Sequence, residues 1–154
     1  MGFATHLGPW LLGTTKNTTG TTAATTVNTG CTVVSQSKNV VFGTLTGNAV
    51  AVPAGSQIVD IKVVTTEVFS AATTLKLSIG GTDFTTTGTI TSVGSVTLGA
   101  NATTPALWLN VGSTAVFIAY TMAGTALTTG AATVIITYAV RDSSGNQTQP
   151  ASQV

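Results

Sequence analysis

The stretch SQIVDIKVVTTEVFSAATTLKLSIGGTD (residues 56–83) decides the fold class. Its apolar residues recur at every second position. Val59, Ile61 and Val63 fall on one side of an extended chain, with Asp60 and Lys62 on the other. Leu75, Leu77 and Ile79 then repeat the pattern against Lys76 and Ser78. A strand sends alternate side chains to opposite faces, whereas a helix groups residues three and four apart, so both runs read as half-buried strands. Gly80 and Gly81 can both take positive φ, which predicts a hairpin leading into Asp83 and Phe84.

The same period extends in both directions. Upstream lie CTVVSQSKNVVF (31–42) and NAVAVP (48–53), the second stopped by a turn at Pro53 and Gly55. Downstream, GTITSVGSVTLG (88–99) alternates weakly, and ALWLNV (106–111) is read as a strand after Pro105. TAVFIAYTMA (114–123) is apolar on both faces, which predicts a central strand. AATVIITYAV (131–140) places Val134, Ile136, Tyr138 and Val140 on one side. Helix signals are nearly missing, because β-branched residues dominate and Gly or Thr interrupts every window. Some eight short strands joined by Gly/Thr/Asn turns predict an all-β protein, an antiparallel two-sheet β-sandwich. A jelly roll is preferred to an immunoglobulin-like order, although local pattern does not decide between them. The expected organisation is an extended N-terminal arm (1–30), a sandwich domain (31–140) and a polar C-terminal tail (141–154).

Composition narrows the function. Charged residues make up 6% of the 154-residue chain, where soluble domains average about 25%, and 34 residues are Thr. Such a surface is wetted by hydroxyls or covered by neighbours, and low charge favours self-association. The acids and bases are scattered singly for a net charge of +1, so no basic stripe suits a phosphate backbone and no nucleic-acid partner is expected. The lone cysteine, Cys31, excludes an internal disulfide, and the bland reading is a small buried or half-buried thiol. No window reaches the roughly 18 apolar residues of a membrane helix, so no membrane partner is expected. The opening run MGFATHLGPWLL is broken by Gly8 and Pro9 and has no basic lead, so it does not read as a secretion signal.

Catalytic chemistry has little to draw on. The single histidine, His6, stands in the arm with no partner set nearby in sequence, and one His with one Cys falls short of a metal site. Asp60, Glu67, Asp83 and Asp142 could only in principle supply a paired acid and base, and solvated charges are the simpler reading. The expectation is no enzyme, no cofactor and no metal. GGTD (80–83) occurs once, as a turn rather than a calcium-binding repeat. Sequons at Asn17, Asn101 and Asn146 match what 45 Ser and Thr would produce by chance. Thr85, Thr87, Thr89 and Thr91 would share a face if that segment were extended, but they carry no repeat of an ice-binding kind.

The segment VPAGSQIVDIKVVTTEVFSAATTLKLSIGGTD (52–83), with the late strand VIITYAV, resembles a sandwich segment of small virion proteins of tailed bacteriophages, capsid decoration (cement) proteins among them. The likeness runs from Val52 to Val140 and is one of pattern. It implies a structural protein that binds the outer capsid surface as a homo-oligomer, commonly a trimer, with the major capsid protein as partner. It also implies a place on the virion after assembly in the host cytoplasm, and no catalytic residues. A head fibre or tail/receptor-binding module is the alternative, and a surface-layer or carbohydrate-binding module a more distant one. In the arm, Phe3, Leu7, Trp10, Leu11 and Leu12 form an apolar tip ahead of a Thr/Gly/Asn leash. They are the expected partner-binding residues, docking on another chain or back on their own sandwich. Trp108 is a possible oligomer-interface residue or a core one.

Overall fold

A computed structural model describes residues 33–140. Their strands are β1 (Val33–Val41), β2 (Thr46–Val52), β3 (Gln57–Glu67), β4 (Thr74–Ile79), β5 (Thr82–Asp83), β6 (Gly88–Thr89), β7 (Gly94–Thr97), β8 (Val116–Ala123) and β9 (Ala131–Ala139). One helical turn, α1 (Ala106–Leu109), interrupts them. The strands form two antiparallel sheets in the orders β1-β9-β3-β7 and β2-β8-β4-β5, with the short β6 beside β4. The protein is an antiparallel two-sheet β-sandwich.

The pairing is nested. β1 pairs with β9, β2 with β8, β3 with β7 and β4 with β5, as though one long hairpin had been folded over itself. Two further pairings, β3 with β9 and β4 with β8, close each sheet across the middle. β8 is therefore an inner strand, as its sequence predicts. Between the sheets lie Ile61, Val63, Leu75, Leu77, Ile118, Val134 and Ile136, all fully buried, with Phe69 and Phe84 near the two ends. Full burial of each such side chain contributes roughly 1.5–3 kcal/mol.

The predicted inward sets Leu75/Leu77/Ile79 and Val134/Ile136/Tyr138 are buried, and Lys76 and Ser78 face out. Gly80 and Gly81 have φ of 57° and 83° at the β4–β5 turn, where a side chain would be strained. Three expectations need correction. In β3 the register slips between Ile58 and Asp60, so Val59 is the extra residue of a bulge and is 53% exposed, while Ile58 turns inward. The segment 106–111 opens with α1 instead of a strand. Pro105 precedes it at φ −64°, and Ala, Leu and Trp tolerate a helical turn there. The run 88–99 is split into β6 and β7, and Thr85 is buried while Thr87 and Thr89 are exposed, so the four threonines share no face.

Threonine also fills gaps in the ladders. Leu77 N–H in β4 donates to Thr85 Oγ1 at 3.0 Å, and buried Thr65 donates its hydroxyl to Ile90 O at 3.1 Å. A hydroxyl thus takes the place of a missing strand partner, which leaves fewer orphaned backbone groups in the core.

Candidate functional site

The strands leave the sandwich with two unlike ends. One carries the loops 42–45, 68–73, 90–93 and 124–130. The other carries the β2–β3 turn, the Gly80–Gly81 hairpin, α1 and the two ends of the described chain, Val33 and Val140. The charged side chains of the described residues (Lys38, Asp60, Lys62, Glu67, Lys76 and Asp83) all stand on strands, and the described loops carry no charge, with exposed Glu67 closing β3 beside the loop-only end. Lys62 lies 3.6 Å from Asp60, and Lys76 lies 2.6 Å from Asp83. Exposed pairs of this kind add little stability, about 0–1 kcal/mol, and keep the outer sheet faces wet.

The loop-only end is apolar. Val41, Phe42, Leu45, Val68 and Val93 are all exposed there. Backbone hydrogen bonds tie them into one rim: Phe42 N–H donates to Gly130 O, Phe69 N–H to Thr91 O, and Met122 N–H to Leu45 O. Thr129 Oγ1 donates to Val68 O at 3.3 Å. Gly130 sits so close to Phe69 that an added Cβ would fall 2.1 Å from its ring. The rim is therefore preformed, and little conformational entropy is lost when it is covered. Phe117, 62% exposed, forms a second apolar feature on the outer face of β8, opposite Ala51.

Trp108 lies at the other end, partly buried against the core. Its indole N–H donates to Phe84 O at 2.8 Å, and its ring meets Phe84 at 6.3 Å between centroids and 54° between planes. Its one donor is thus spent within the chain. The outward apolar side chain of α1 is Leu109, 63% exposed. Phe3, Leu7, Trp10, Leu11 and Leu12 lie outside the described residues, as do His6, Cys31 and Asp142. The rim was missed because its residues sit where alternation stops. Signals that could have found it are VVF (40–42) and VF (68–69), consecutive apolar residues at a strand end.

No chemistry-bearing cluster accompanies these surfaces. Among the described residues, no three of His, Cys, Asp and Glu come together, and no helix is long and apolar enough to cross a membrane. Asn101 of the second sequon is engaged locally: its Oδ1 accepts from Thr103 N–H at 3.0 Å, and its Nδ2 donates to Asp83 O.

No family model matches the chain, and no curated protein is similar to it. Among solved structures, it is similar to a chain of the acid-stable capsid structure of the Helicobacter pylori bacteriophage KHP30. That match has a TM-score of 0.51 at 10% identity, over 70% of this chain and 87% of the other. At that identity the likeness is one of fold.

Proposed function

We propose that this protein is a structural component of a phage virion. In this reading it binds the outer capsid surface as an oligomer and adds stability to the shell, as a cement or decoration protein. The observation that carries the reading is the nested strand order, which we read as a jelly roll, together with its likeness to a chain from a phage capsid structure. Loops without charge among the described residues add support, because uncharged surface is cheap to desolvate on a neighbour.

The proposed attachment is the arm, residues 1–30, with Phe3, Leu7, Trp10, Leu11 and Leu12 entering an apolar recess on the major capsid protein. Trp is among the residue types most enriched at binding hot spots. Each bound copy stabilises the assembled shell by mass action, about 2.7 kcal/mol when free protein is at 100 times its Kd. The test is heat disruption of shells purified from the virus that carries this chain, with and without added protein. Full-length protein should bind and raise the disruption temperature. Trp10→Ala should bind at least about 30-fold more weakly, the loss typical of a hot spot. Undiminished binding after removal of residues 1–30 would exclude the arm as the attachment. Binding to host cells or glycans in place of shells would move the protein to the receptor-binding class.

A further inference from the structure

Each sheet edge in this sandwich is a row of backbone donors and acceptors open to pairing, and most are blunted. β2 carries a register shift between Asn48 and Val50, β7 has four residues, and β5 and β6 have two each. Short strands and bulges are the usual guards against edge pairing. β1 is different. It has nine residues, an unshifted register against β9 and neither Gly nor Pro.

We infer that β1 pairs antiparallel with β1 of a second copy, about a twofold axis through Ser37, joining two four-stranded sheets into one of eight strands. The sequence VVSQSKNVV is nearly a palindrome in side-chain character. In this register Val33 meets the partner's Val41, Val34 meets Val40, Ser35 meets Asn39, Gln36 meets Lys38, and Ser37 meets itself. Val33 and Val41 are 55% and 46% exposed in one copy, and both gain an aliphatic neighbour in the pair.

Charge selects the register. Facing residues must lie on the same side of the sheet, so a twofold axis must pass through a residue, and shifts come in steps of two. An axis at Lys38 would place two ammonium groups opposite each other. An axis at Gln36 would set Val33 against Asn39 and Val34 against Lys38, an aliphatic side chain against a polar or charged one in both pairs. Only the axis at Ser37 uses all nine residues and keeps the two lysines apart. Lys38 belongs to neither ion pair of the described residues. Gln36 Nε2 is committed inward, to Ala51 O at 3.3 Å and to the Tyr138 hydroxyl, which leaves its oxygen to accept from Lys38 of the second copy.

The contact is isologous and closes with two copies. It gives the proposed oligomer a twofold element, where the phage resemblance implies a trimer, and it stands whether or not the chain binds a shell. Light scattering on full-length protein should give twice the chain mass at micromolar concentration. Ser37→Glu faces two carboxylates across the axis, and it should raise the dimer Kd several-fold while leaving the unfolding curve unchanged at concentrations where both proteins are monomeric, since Ser37 is exposed. With Cys31→Ser as background, Ser37→Cys should crosslink to its own kind under mild oxidation, and Ser35→Cys alone should not. Ser35→Cys combined with Asn39→Cys should crosslink again. A monomer at every concentration up to about 100 μM overturns the inference. So does an oligomer that Ser37→Glu leaves intact and Ser37→Cys fails to crosslink.

Discussion

Gly130 has a φ of 130°, and the space its side chain would need is filled by the ring of Phe69, itself 2% exposed. Two costs coincide there: a backbone conformation that L side chains avoid, and a collision with an aromatic ring that cannot flex away. Gly130→Ala should therefore lower stability by about 3 kcal/mol, read as a shift in urea midpoint with little change in slope. In a Phe69→Leu background the same change should cost measurably less, because the collision is relieved and only the strain remains. A loss below about 0.5 kcal/mol would mean that the rim deforms easily and is not the preformed surface described above. The preformed rim depends on this position because Phe42 N–H hydrogen-bonds the Gly130 carbonyl.

At the scale of elements, β3 shows what period-2 reading can and cannot recover. Val59, Ile61 and Val63 share a phase in the sequence, yet the bulge turns Val59 outward and brings Ile58 in at 3% exposure. A bulge carries no compositional mark here, since Ile58 and Val59 are equally good core residues. Ile58→Ala is expected to cost about 2–4 kcal/mol and Val59→Ala less than about 0.5 kcal/mol. Thermal melts of the two variants decide between the phases, and equal losses would return the strand to an unbulged reading. The hairpin at Gly80–Gly81 was legible because positive φ demands particular residues. The inner position of β8 was legible because its sequence is apolar on both faces, although one outer residue, Phe117, stays in the open. α1 was not legible: ALWL suits a strand as well as a helix, and tertiary contacts decide, Trp108 being fixed by the Phe84 carbonyl. The exposed rim was hidden for a related reason, since burial depends on what the strand ends face and not on the residues alone.

For the molecule as a whole, nested pairing makes the last strand indispensable. β9 lies between β1 and β3 with nine paired residues on each side, and its inward side chains Val134, Ile136 and Tyr138 are buried. Without it β1 has no partner in its sheet, and β3 keeps only the four-residue β7. Three large buried side chains represent roughly 4–9 kcal/mol of burial, comparable to the entire stability of an ordinary domain. A chain ending at Gly130 should therefore show no cooperative urea transition, whereas a chain of residues 31–140 should unfold in one step. The first and last strands must find each other across some 100 residues, so folding should also be slow, milliseconds to seconds, as in other sandwiches of high contact order. Stopped-flow refolding of the 31–140 chain measures that rate, and circular dichroism of the shortened chain measures the rest. A cooperative transition in the chain ending at Gly130 would show that β2, β4 and β8 hold together as a unit of their own, and the nested hairpin would then describe the order of the strands without describing how they fold.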